Sequence, residues 1–75
     1  MINELDHILV FKTNILTEDD HLSVKNALDA HQHIEKWSID TQDVDCVLRI
    51  VSPTLQHRDI IELINLHGYH CTELK

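Results

Sequence analysis

The sequence predicts an α+β fold in which a four-stranded antiparallel sheet is covered on one face by two helices. Four short segments are rich in apolar and β-branched residues and are bounded by polar turn residues, as strands are. Two further segments repeat apolar residues three and four positions apart, as amphipathic helices do. The order of these segments is βαββαβ. For that order the compact arrangement with right-handed crossovers is the ferredoxin-like sandwich.

The four strands are expected at Leu5–Thr13, Ile34–Ile39, Val44–Val51 and Tyr69–Leu74. The polar segment Asp40–Asp43 joins the second strand to the third and predicts a hairpin turn. Because successive side chains of a strand point to opposite faces, the third strand should carry Cys46, Leu48 and Ile50 on one face.

The first helix is predicted to begin after Thr17 and to run to about His31. Thr17 has the side chain of an N-cap, and Asp20 three positions later imitates a capping box, in which Glu or Gln is usual. Three acids in the first turn also suit the positive end of the helix dipole. The face toward the core is expected to carry Val24, Ala27, Leu28 and His31, with Leu22 nearby.

The second helix is predicted to begin at about His57, after proline breaks the third strand at Ser52-Pro53-Thr54. Its apolar face should contain Ile60, Ile61 and Ile64. Gly68, the single glycine of the chain, stands where a helix end favours a left-handed residue.

The predicted topology brings three distant stretches to one end of the sandwich. The loop after the first strand, the hairpin turn and the junction between the second helix and the last strand all lie at that end. We therefore expect residues Thr17–His21, Thr41–Asp45 and His67–His70 to be neighbours.

Length and composition limit the class of protein. The 75 residues form one domain at most, spanning residues 1–75, with 43% hydrophobic and 25% charged residues, which is ordinary for a folded chain. Thirteen acids against six bases give a formal charge of -7 without a basic cluster, which argues against nucleic acid as a partner. The sequence contains no stretch resembling a membrane span or a signal peptide, so we expect a cytoplasmic protein. Cys46 and Cys71 are expected to be reduced and buried.

Three segments make the chain resemble the heavy-metal-associated domain, the fold of small copper chaperones and of the N-terminal modules of metal-pumping ATPases. Val24 with Ala27-Leu28 is similar to that family's Val-x-x-Ala-Leu, and IEKWSID is similar to its Val-x-x-Val-x-Val strand. The ending IIELINLHGYHC, with Gly68-Tyr69, is similar to its Leu-Ile-x-x-Ile-x-x-x-Gly-Tyr-x-Ala. The resemblance covers nearly the whole chain and implies the ferredoxin-like fold.

The family's functional motif, Met-Thr-Cys-x-x-Cys, is not present. Alignment on the first helix places Ile15 at the methionine, Thr17 at the first cysteine and Asp20 at the second. Soft thiolates select Cu(I), whereas carboxylates suit harder ions and imidazole suits intermediate ones. Copper(I) transfer by the family's usual route is therefore not implied.

Two functions remain open for a small acidic binding protein of this kind. The first is a rebuilt metal site for a divalent ion such as Zn(II), Ni(II), Co(II) or Cu(II). Its ligands would be Asp20, His21, His67 and His70, with Asp19 and Cys71 as further candidates. The second is a degenerate member without a metal, which either associates with itself through a sheet edge or docks on a basic partner protein through its acids. In both, the plain alternative is that these side chains are only solvated. An enzyme is not expected, since no catalytic motif occurs.

Overall fold

The computed structural model describes residues 7–74 of the 75-residue chain. The strands are β1 (Ile8–Thr13), β2 (Lys36–Asp40), β3 (Val47–Val51) and β4 (Cys71–Glu73), and the helices are α1 (Glu18–Ala30) and α2 (His57–Leu66). The predicted order βαββαβ is confirmed. The strands form one antiparallel sheet in the order β2-β3-β1-β4, so that β2 and β4 are its edges. Within the described residues no helix is long and apolar enough to cross a membrane.

The core lies between the helices and one face of the sheet. Phe11 of β1 lies opposite Leu48 of β3, and Ile50 of β3 lies opposite Trp37 of β2. Full burial of such a side chain stabilises the fold by about 1.5–3 kcal/mol relative to its exposure. The predicted helix faces are confirmed in part, since Ala27, His31 and Ile61 are only partly buried. The largest fully buried side chains are Phe11, Ile15, Val24, Leu28, Leu48, Ile50, Ile60 and Ile64.

Two expectations about the core are decided by the structure. Cys46 and Cys71 are both buried and free, as predicted. Leu22, in contrast, is 52% exposed and does not belong to the core face of α1. It stands two positions before the buried Val24, which is about 200° around a helix, and therefore faces outward.

The hairpin loop is longer than predicted, and the expected start of the third strand at Val44 is wrong. Val44 is 93% exposed, and β3 begins at Val47. The reason is a turn that Asp43 closes, because its carboxylate accepts the N–H of Asp45 at 2.9 Å and its carbonyl accepts the N–H of Cys46 at 2.9 Å. Cys46 then takes a positive φ of 45°, which strand pairing does not allow.

Other strand boundaries also differ by a few residues. The second strand begins at Lys36 rather than Ile34, and the fourth begins at Cys71 rather than Tyr69. The chain leaves α2 through Gly68, whose φ is +89°, and Tyr69 directs its side chain to the start of α1 before pairing with β1 begins. For the first strand, the expected residues Leu5 and Asp6 lie outside the described part of the chain.

Candidate functional site at the start of the first helix

The start of α1 is held by the capping box that the sequence predicts. The Thr17 hydroxyl accepts the N–H of Asp20 at 3.1 Å, and Asp20 Oδ2 accepts the N–H groups of Thr17 and Leu16 at 3.0 and 3.2 Å. These bonds satisfy backbone donors that a helix start otherwise leaves without partners. Asp20 therefore supplies the negative charge that the positive end of the helix favours.

Asp20 also joins α1 to the segment that follows α2. The Tyr69 hydroxyl donates a hydrogen bond to Asp20 Oδ1 at 3.0 Å, across 49 positions of sequence. The pKa of Asp20 is lowered from its ordinary 3.8, chiefly by the backbone N–H of Thr17 and then by that of Leu16. Desolvation opposes this shift, and the hydroxyls of Thr17 and Tyr69 make smaller contributions that lower the pKa further. Both carboxylate oxygens are thus engaged in bonds within the protein.

His21 packs beside an aromatic ring. Its centroid lies 5.2 Å from the ring of Trp37, with 59° between the two planes. The Trp37 Nε1–H group in turn donates to Asp29 Oδ1 at 2.7 Å, and Lys25 contacts Asp29 Oδ2 at 2.7 Å. The pKa of Asp29 is lowered first by Lys25 and then by Trp37. This face of α1 is therefore fixed against the edge strand β2.

His67 and His70 have other partners. His67 Nδ1 lies 2.9 Å from the carbonyl oxygen of Leu63, so that this nitrogen carries the proton and donates it within the last turn of α2. The backbone N–H of His70 donates to Asn14 Oδ1 at 2.8 Å, and its side chain is exposed. Burial raises the pKa of Cys71 to about 12, which disfavours the thiolate form that metals bind.

Of the four residues predicted as metal ligands, Asp20, His21 and His67 have side chains with separate partners, whereas the contact of His70 is made by its backbone. Asp20 accepts a hydrogen bond from Tyr69, and the His21 ring packs beside that of Trp37. Neither contact involves His67 or His70. Among residues 7–74, no group of three or more His, Cys, Asp or Glu side chains is placed to hold a metal ion. The ligand set Asp20, His21, His67 and His70 stays a prediction.

The predicted gathering of three stretches is recovered in these contacts. A groove of about 410 Å³ at the start of α1 is lined by Leu16, Thr17, Glu18, His21, Ile39 and Thr41. Thr41 of the hairpin thus lines the same groove as Thr17, and Tyr69 of the third stretch donates a hydrogen bond to Asp20. Sequence reasoning missed the apolar lining and the Tyr69–Asp20 bond. The sequence feature that points to this bond is the tyrosine directly after Gly68, the glycine that ends α2.

The start of α1 exposes apolar and acidic side chains, of which Leu16 and Glu18 also line this groove. Leu16 is 58% exposed and Leu22 is 52% exposed, although both are large apolar residues. Glu18 and Asp19 stand between them, and within the described residues neither carboxylate has a hydrogen bond or an ion pair. We call the surface formed by Leu16, Glu18, Asp19 and Leu22 the acidic end.

Solved structures share this architecture. The apo heavy-metal-associated domain of a copper chaperone for superoxide dismutase superposes with a TM-score of 0.77 at 13% identity, over 91% of this chain and 66% of that one. This chain therefore spans slightly under two thirds of that protein's length. The copper(I)-loaded first domain of the human copper chaperone for superoxide dismutase gives 0.75 at 14% identity, over 88% and 89% of the two chains. The chain has the fold of a heavy-metal-associated domain.

A third structure agrees with these two. The yeast copper transporter domain Ccc2a, solved in apo and copper(I)-loaded states, gives a TM-score of 0.76 at 15% identity, over 92% of this chain and 96% of that one. The predicted ferredoxin-like fold is confirmed, and so is the resemblance to copper-chaperone domains at the level of the fold. No family model matches the sequence, and no curated protein matches it.

Proposed function

We propose that this domain is a non-catalytic binding module whose acidic end docks on a basic surface of a partner protein. The observation that carries the proposal is the pairing of exposed apolar side chains with unpaired carboxylates on one surface. Leu16 and Leu22 remain exposed, while Glu18 and Asp19 have no partner among residues 7–74. Asp20 does not belong to this surface, since its oxygens are engaged by Thr17, Leu16 and Tyr69.

The two kinds of side chain have different tasks in such a contact. Exposed ion pairs contribute little to affinity, but complementary charge steers the encounter and selects the partner. The apolar area of Leu16 and Leu22, together with the groove that continues to Ile39, supplies the surface to be buried. A partner with lysine or arginine residues around an apolar side chain fits both requirements.

A peptide of alternating lysine and leucine residues tests the proposal by nuclear magnetic resonance. Titration should shift the backbone amides of residues 16–22 most. Glu18→Lys with Asp19→Lys should abolish the shifts, whereas Glu35→Lys with Glu62→Lys, the same charge change at exposed acids elsewhere, should preserve them. Shifts spread evenly over the acids of the chain, or lost equally in both double variants, would contradict docking at the acidic end.

The second candidate is a divalent metal site formed by Asp20, His21, His67 and His70. Two observations support it. Two of the solved domains with a similar fold are described as copper(I)-loaded. The hydrogen bond from Tyr69 to Asp20 also joins the two stretches that contain the proposed ligands. Carboxylate and imidazole suit Zn(II), Ni(II), Co(II) or Cu(II). A metal ion at Asp20 would share the carboxylate with the hydrogen bonds that it accepts now.

Calorimetric titration of the reduced, chelator-treated protein distinguishes the two candidates. A stoichiometric site for one of the four divalent ions, lost in both His21→Ala and His70→Ala, would establish the metal site. Anaerobic titration with Cu(I) serves as the comparison with the family's usual ion. Heats that do not change in the two variants would leave protein docking as the function.

A further inference from the structure

The sheet has a second surface that the helices leave uncovered. Because side chains alternate along each strand, the residues between the buried ones point away from the helices. Val10 lies opposite Arg49, and Arg49 lies opposite Ser38, so that these three share the uncovered side. We call this surface the open face, and its residues include Ile8, Val10, Lys12, Lys36, Ser38, Arg49 and Val51.

The open face is positively charged in an otherwise acidic protein. The chain has six lysine and arginine residues against 13 acids, and three of the six, Lys12, Lys36 and Arg49, lie on this face. Asp40 of β2 lies on it as well, so that the cations of the face exceed its strand carboxylates by two. Lys12 is 3.7 Å from Asp45, which reduces the positive charge at the hairpin end of the face. Arg49 is exposed and has no hydrogen bond or ion pair within the described part of the chain. The uncompensated positive charge is therefore centred on Arg49.

Apolar side chains surround that charge. A groove of about 200 Å³ is lined by Ile8, Lys36, Trp37, Ser38, Arg49 and Val51. Ile8, Val10 and Val51 are only partly buried, so this side of the sheet presents apolar area to solvent. The open face thus combines cations with apolar area, and the occupant that fits it combines carboxylates with apolar side chains.

We propose that the open face binds the acidic end of a second copy of this chain. The acidic end presents Glu18 and Asp19 between exposed Leu16 and Leu22, which complements Arg49 between Ile8, Val10 and Val51 in both charge and apolar character. Two open faces do not suit one another, because their cations would be brought together. The inference rests on the proposed function to the extent that both use the acidic end as a docking surface.

The contact is head-to-tail, since it joins two different surfaces of identical chains. Each pair keeps one unused open face and one unused acidic end, so that further copies add. Charge pairs at a protein surface are screened by salt, with a Debye length of about 10 Å at 0.1 M and about 3 Å at 1 M. Association should therefore grow with protein concentration and disappear at high salt.

Two variants test the contact by sedimentation, and each lacks the charged side chains of one of the two surfaces. Glu18→Gln with Asp19→Asn removes the charge of the acidic end, and Lys36→Gln with Arg49→Gln removes that of the open face. Each variant alone should be monomeric at concentrations on the order of 1 mM, where weak contacts are populated. An equimolar mixture should form a one-to-one complex, because one variant retains the open face and the other retains the acidic end.

The control variant is Lys25→Gln with Arg58→Gln, which removes two cations from the helices and should associate like the wild type. A wild-type protein that stays monomeric at every concentration overturns the proposal, as does a mixture of the two neutral variants that fails to pair. Binding of an acidic, leucine-containing peptide without self-association would also overturn it and would assign the open face to another protein. The Lys36→Gln, Arg49→Gln variant should still bind the lysine–leucine peptide, so that failure of self-association is distinguishable from failure of the proposed function.

Discussion

Replacement of Gly68 by alanine should destabilise the domain through backbone conformation alone. Gly68 has a φ of +89°, it is exposed, and a Cβ built on it meets no atom within 4 Å. A steric clash with neighbours is therefore absent, and the cost is that of holding an L-residue with a side chain in the left-handed region, about 1–2 kcal/mol. For a domain of this size each kcal/mol lowers Tm by about 4–8 °C, so that Gly68→Ala should lower it by about 4–16 °C.

Thermal unfolding followed by far-ultraviolet circular dichroism and by the fluorescence of Trp37, the single tryptophan, measures this loss. Gly68→Asn is the matched control, because asparagine tolerates the left-handed region better than alanine and should lose less. A Gly68→Ala protein as stable as the wild type would refute the reasoning. Equal losses in the alanine and asparagine variants would also refute it, since they would indicate a cause other than backbone conformation.

Three further changes have expected outcomes. Thr17→Ala removes the N-cap of α1 and should lower the free energy of unfolding by about 1 kcal/mol in urea titrations, whereas Thr17→Ser should be nearly neutral. The pKa of Asp20 is lowered on folding, so its contribution to stability is present above its ordinary pKa of 3.8 and is lost as pH falls through the lower pKa of the folded state. In urea titrations at descending pH, the free energy of unfolding should therefore fall less for Asp20→Asn than for the wild type. Cys71, whose pKa is raised to about 12 by burial, should react with iodoacetamide far more slowly in the native protein than in urea, and equal rates would contradict its burial.

The fold was predictable because its determinants are local and periodic. Thr17 and Asp20 predict the start of α1 through side chains that satisfy nearby backbone donors, and the structure contains both bonds. Gly68 likewise predicts the end of α2, where a positive φ is found. The hairpin was harder, because the turn closed by Asp43 and the positive φ of Cys46 depend on one particular set of hydrogen bonds rather than on a repeating pattern.

The candidate site was less predictable than the fold because its side chains act across the chain. Spacing alone allowed Asp20, His21, His67 and His70 to be considered together, since the topology places their segments at one end. Spacing does not predict that the Tyr69 hydroxyl donates to Asp20 Oδ1 or that Trp37 lies beside His21. Such contacts depend on side-chain rotamers and on distances of a few ångströms, which neither periodicity nor propensity determines.

The same contacts give the start of α1 hydrogen-bond partners from within the chain. The Asp20 carboxylate supplies negative charge at that place, and its bonds to Leu16, Thr17 and Tyr69 are made within the chain. Glu18 and Asp19 also suit the positive end of α1, but their carboxylates make no hydrogen bond or ion pair among residues 7–74. They are therefore accessible to the partner that we propose.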